Sequence, residues 1–161
     1  MTKFRTMLVA TALAMLAAAT VASALPTKTV PFTAKYAGQA STKIDGNIAN
    51  ISATGTGTGT LIGRGKLTGT GTGDSSQQPC VPFGGLGKLT GVASTTISFK
   101  VASSSKGCGD EGGHIFSLKG TATVLKATGK LAKAKGTLRF TGVYDRDGGT
   151  FTVKFTGLLT K

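Results

Sequence analysis

The sequence predicts an all-β fold: a closed antiparallel up-and-down barrel of about eight strands. Three observations carry that expectation. Almost every segment after Pro31 alternates apolar and polar residues with period two, and no stretch there sustains a helical period. Gly supplies 25 of the 161 residues, about double its usual share, and between positions 53 and 73 it alternates with single residues, which excludes a collagen-like chain. Strand-forming runs are joined by short turns, and closing such a series removes the exposed edges that invite aggregation.

The chain opens with a processing signal. Lys3 and Arg5 form a positive n-region, residues 7–19 an apolar run, and Ala22-Ser23-Ala24 a small-residue cleavage site. Residues 1–24 are therefore expected to be a cleaved signal peptide. Residues 25–161 remain as one domain of net charge +11, the full chain's +13 less Lys3 and Arg5. The apolar run is too short and Ala-rich for a comfortable membrane span, and no second run follows. No Cys sits just after the cut, so a lipid-modified N-terminus is not expected. The expected location is secreted, periplasmic or on the cell envelope, with no integral membrane segment.

The elements follow in order. Strands are expected at 28–36 and 40–44. Residues 53–73 read as a hairpin in which Thr54, Thr56, Thr58 and Thr60 face out and Thr68, Thr70 and Thr72 return on the same face. Opposed residues must share a face, so the loop needs an odd length, and Gly63-Arg64-Gly65 satisfies that, pairing Thr60 with Thr68 and Leu61 with Leu67. Further strands are expected at 89–101, with Ile97, Phe99 and Val101 inward, and at 114–126, with Phe116, Leu118, Ala122 and Val124 inward. Residues 74–87 and 102–113, rich in Gly, Ser and Pro, read as loops. The last two strands meet at Asp147-Gly148, a type I′ signal, in the register that pairs Phe140 with Phe155, Tyr144 with Phe151 and Thr141 with Lys154. The alternative register would oppose Lys154 to Arg139, and like charges directly opposite are destabilising.

Inward Gly removes side-chain volume, so the barrel is either filled by rings or hollow. Phe83, Phe99, Phe116, Phe140, Phe151 and Phe155 are the candidate fillers, and their number favours a filled interior. The polar faces carry Lys100, Lys119, Arg139 and Lys154, which could not share so narrow a lumen, so the lysine-bearing face is the wet one. Outside the cytosol Cys80 and Cys108 are expected to form a disulfide, because a metal site or a reactive thiol would need further ligands or a neighbouring base. Read as one extended strand, 92–101 would hold the two cysteines apart by about 33 Å, so a flanking loop is expected to fold back across the barrel's end.

The run Ala127-Thr128-Gly129-Lys130-Leu131-Ala132-Lys133-Ala134-Lys135-Gly136-Thr137-Leu138 resembles the G-x-G-[KR]-F-x-x-A-x-G loop of the dirigent and allene oxide cyclase-like barrels. Leu131 stands where those proteins have an aromatic, and their first Gly is missing. The chain looks more like bacterial secreted relatives than the plant enzymes. The resemblance implies an eight-stranded calycin-like barrel whose lumen could hold a small apolar ligand.

Candidate chemistry is sparse. His114, near Asp110 and Glu111, could be a base oriented by a carboxylate, but reads better as an exposed loop residue at the start of a strand. Asp145 and Asp147 lack the later ligands of a calcium loop. The Gly-Arg-Gly-Lys and Gly-Leu-Gly-Lys runs at 63–66 and 85–88 lack the Ser or Thr and the helix of a phosphate loop. No catalytic residue, cofactor or metal site is assigned, and a non-enzymatic role is expected. Charge is the remaining signal: Lys119, Lys126, Lys130, Lys133, Lys135 and Arg139 follow one another with no intervening acid, and Lys154 joins them on the outer face. Such a surface attracts anionic polymers such as wall polymer, acidic polysaccharide or nucleic acid, or serves only to keep the barrel dissolved.

Overall fold

The computed structural model describes residues 28–161; the expected signal peptide, 1–24, lies outside them. Eight strands follow in order: β1 (Thr29–Asp45), β2 (Ile48–Gly59), β3 (Gly63–Asp74), β4 (Cys80–Thr90), β5 (Thr96–Gly109), β6 (Ile115–Ala127), β7 (Thr137–Asp145) and β8 (Thr150–Thr160). Each pairs antiparallel with the next, and β8 closes on β1. A 3-10 turn at Gly129–Leu131 interrupts the connection from β6 to β7. No helix among the described residues is long and apolar enough to cross a membrane.

The up-and-down order divides the connections between two ends. Those following β1, β3, β5 and β7 surround one end, the mouth. The turns at 60–62 and 91–95, the 128–136 connection and the paired ends Lys28 and Lys161 cover the other. That second end is closed. Phe32, Ile62, Leu89, Ile97, Leu131, Leu138 and Leu159 fill it, each less than 2% exposed. Leu131 reaches the interior because the 3-10 turn folds under the barrel, with Gly129 at φ +61° lying so near Thr95 that a Cβ would collide.

The register of β7 and β8 is the expected one, Phe140 opposite Phe155, Tyr144 opposite Phe151 and Thr141 opposite Lys154. The turn differs. Pairing stops at Asp145 and Thr150, and the left-handed position is Gly149 (φ +62°), so this is a four-residue loop and not a type I′ turn at Asp147-Gly148. Asp145 organises it, its carboxylate accepting the N–H groups of Asp147 (3.0 Å) and Gly148 (2.9 Å).

Further expectations are corrected. Strands 28–36 and 40–44 are one strand, β1, because Gly38 stays in the ladder opposite Gly55 instead of breaking it. The β2–β3 loop has the expected three residues but lies at Thr60-Leu61-Ile62, so Thr54 faces Thr68 and Ser52 faces Thr70. Its odd length keeps the threonines outside, as expected. The shift buries Ile62 completely; that burial is worth about 1.5–3 kcal/mol, against a few tenths for each Thr pair forgone.

The remaining corrections concern 74–113. Most of the supposed loop at 74–87 is β4, and most of the one at 102–113 is β5. The supposed single strand 89–101 is broken by the 91–95 turn, where Ala93 and Ser94 have positive φ. A ladder needs only backbone groups, so Gly84, Gly85 and Gly87 can run beside β3 without an alternating apolar signal. The turn also sets Cys80 directly opposite Cys108, and the expected disulfide forms across neighbouring strands with no loop folding back.

Candidate functional site

The interior is not filled throughout. Toward the mouth it opens into an apolar cup of about 230 Å³. All six phenylalanines expected to fill the barrel line this space instead. The cause is an asymmetry around the wall. On β1 to β4 the inward residues form two rows, mostly of small groups: Ala40, Ala53, Gly69 and Gly87 lie side by side, and beyond them Thr42, Ile51, Gly71 and Gly85. The facing strands carry Phe116, Leu118, Phe140, Tyr144 and Phe155. Apart from Phe83, which reaches Phe140, and Thr42, which reaches the Tyr144 hydroxyl, the β1 to β4 wall sends too little side chain across the lumen to close it.

The rings are held against one another, Phe99 to Phe155 at 5.4 Å between centroids, Phe140 to Phe155 at 5.9 Å and Phe83 to Phe140 at 6.1 Å. Phe99 also lies so close to Gly87 that a Cβ there would overlap its ring. At Gly69, by contrast, a Cβ would meet nothing nearer than 3.5 Å, because it would point into the cup. Polar side chains gather at the mouth, where Thr42 donates to the Tyr144 hydroxyl at 3.4 Å and Gln78 and Arg146 stand nearby.

The predicted cationic residues fall into two adjoining groups. Lys119, Arg139 and Lys154 share the outer wall, with Thr141 between Lys119 and Lys154 across the strands. Lys126 ends β6 near the closed end, and Lys130, Lys133 and Lys135 lie on the 128–136 connection that covers it. Sequence order hid two members: Lys106 is directly opposite Lys119, and Lys35 directly opposite Lys154. Only strand register reveals them. All six acids of the chain, Asp45, Asp74, Asp110, Glu111, Asp145 and Asp147, lie instead around the mouth.

Several of those acids build the mouth. Asp74 accepts from Ser76 Oγ (2.6 Å), from Gln77 Nε2 (2.9 Å) and from the Ser76 N–H (3.1 Å), and these bonds, the Ser76 hydroxyl first, hold its pKa below the usual carboxylate value. Asp110 is lowered chiefly by the N–H of His114, 2.8 Å away. His114 Nδ1 is hydrogen-bonded to Asp147 Oδ2 at 2.6 Å, and its carbonyl accepts from the Arg146 N–H. The carboxylate beside the imidazole therefore comes from the β7–β8 loop and not from Asp110 or Glu111. His114 is 60% exposed, on the rim, where it ties two loops together.

The chain matches no family model, no curated protein and no solved structure. Cup and cationic wall thus stand on their own geometry. Among the described residues no three His, Cys, Asp or Glu side chains form a metal-binding group.

Proposed function

We propose that this chain is an exported binding protein that holds a small apolar molecule in the cup. The single observation carrying the reading is the opposition of a Gly and Ala wall to a Phe wall, which leaves an apolar space open at one end of an otherwise packed barrel. By comparison with a cavity of 150 Å³ that takes benzene, about 230 Å³ suits a ligand of about ten non-hydrogen atoms. The mouth's Thr42, Tyr144 and Arg146 would face a polar tail on such a ligand, the common division of labour in small-molecule sites. The lining is mostly carbon and includes no carboxylate, imidazole, thiol or amine side chain, which favours binding over catalysis. Kinship with the dirigent and allene oxide cyclase-like barrels belongs to the same proposal; it is supported by the loop that ends at Leu138 and carries Leu131 into the closed end. The apolar run at 7–19, the cleavage site and the formed disulfide support export.

Titration with 1-aminonaphthalene, whose emission rises in apolar surroundings, tests the cup. Saturable binding is expected. Gly69→Leu, which projects into the space, and Ala53→Leu, which does so from β2, should each weaken it about tenfold or more, about 1.4 kcal/mol. Thr70→Val, on the outer face of the same strand, should leave it unchanged. Binding that both cup variants retain would remove the proposal.

A second reading is favoured by a separate observation. Lys35 opposite Lys154 and Lys106 opposite Lys119 are like charges in direct cross-strand pairs, an arrangement that costs stability, and no acid on the strand walls relieves it. An anionic component of the envelope would.

A further inference from the structure

The closed end carries more than charge. Four exposed aliphatic side chains lie on or beside it: Leu61 and Val92 on the two turns, and Leu125 and Leu158 near the closed-end limits of β6 and β8, 60% and 63% exposed. The turns bearing Leu61 and Val92 touch, Val92 N–H donating to the Ile62 carbonyl at 3.0 Å. Around them stand Lys126, Lys130, Lys133, Lys135, Lys28 and Lys161, and no Asp or Glu. The backbone adds an independent sign. Leu61 (φ +64°) and Lys133 (φ +66°) both occupy the left-handed region that glycine usually fills, so two turns are held in a costly conformation that presents an apolar and a cationic side chain at this end.

From this juxtaposition we infer that the closed end docks on the surface of an anionic lipid bilayer, with the mouth turned away from it. The inference rests on the second reading above and narrows its partner. A charged polymer would satisfy the lysines but leave four aliphatic side chains in water. A bilayer interface takes both, burying the aliphatic tips at the headgroup level while lysines meet lipid phosphates. Orientation follows from the acids. With all six at the mouth, the barrel's field is polarised along its axis, and a negative surface repels the open end.

The experiment sediments the chain with vesicles of phosphatidylcholine alone or mixed with phosphatidylglycerol, at low and high salt, with all variants in one background so that residues 1–24 are common to them. Binding is expected to need phosphatidylglycerol and to fall with salt. Leu61→Ser with Leu158→Ser, and separately Lys130→Gln with Lys133→Gln and Lys135→Gln, should each lower the partition coefficient about tenfold. Leu86→Ser, which removes an exposed aliphatic from the outer wall of β4, should not change it. Circular dichroism and urea midpoints confirm that each variant is folded. A sulfated-polysaccharide resin is the second arm. Retention on the resin without vesicle binding, or vesicle binding that both variant sets keep, overturns the docking inference and leaves the second reading standing. Failure of both arms ends both. Self-association abolished by the leucine changes would show that a second copy covers this face, and would also overturn docking.

Discussion

At the scale of single residues, Tyr36 shows what burial does when no partner is supplied. It points inward from β1, 2% exposed, and its hydroxyl has no hydrogen-bond partner. Burial raises its pKa above the ordinary tyrosine value. Below that value, about pH 10, folded and unfolded chains are both neutral here; above it the unfolded chain ionises first, so stability falls as pH rises toward the folded-state value. Tyr36→Phe should therefore cost nothing at neutral pH, with a gain of up to about 1 kcal/mol, and should flatten the alkaline fall. Urea unfolding on either side of pH 10 measures both, and marked destabilisation at neutral pH would show that the hydroxyl is satisfied. Residue-level legibility was uneven for a related reason. The inward positions of β6, β7 and β8 were readable because Phe, Leu and Val alternate with Lys and Thr, but the emptiness beside Gly69 belongs to the neighbours of a glycine and not to glycine itself.

At the scale of elements, the hairpin of β4 and β5 is the least legible part of the fold. A run of Gly and Ser carries no period-two signal, so its strands looked like loops. They exist because β3 and β6 offer backbone partners on either side. Between Val101 and Lys106 the pairing slips, leaving Ala102, Ser103 and Ser104 unpaired on both sides and Ser105 paired with β4 alone. The disulfide clamps this hairpin next to the mouth. Its cysteines are 28 residues apart, and by the chain-entropy argument replacing both with Ser should lower stability by about 3–4 kcal/mol. Urea midpoints of the Cys80→Ser, Cys108→Ser double variant against the oxidised protein test this. A change below about 1 kcal/mol would mean that the ladders alone fix the hairpin.

At the scale of the whole molecule, closure of the barrel and the placing of lysines outside were both legible, because alternation separates two faces and a narrow lumen cannot hold several cations. The cup was not. It depends on which strands end up facing each other, and that requires the register of all eight. The same holds for the opposed lysines, whose mutual repulsion yields a bulk prediction: melting temperature should rise with added salt as the screening length falls from about 30 Å to about 8 Å. Lys154→Gln should be more stable by a few tenths of a kcal/mol at low salt and respond less to screening. Calorimetry across salt concentrations decides it; a flat response would mean that the side chains splay apart and pay no penalty.

Lys28 and Lys161 exchange backbone hydrogen bonds at 3.0 Å, so both ends of the barrel's chain leave from the same place. A tether or fluorescent fusion attached at either one would stand under the base and leave the cup accessible while obstructing whatever the base rests on. A short peptide joining the two, with new ends opened at Gly46-Asn47 on the opposite rim, would give a permuted barrel in which those two effects are exchanged.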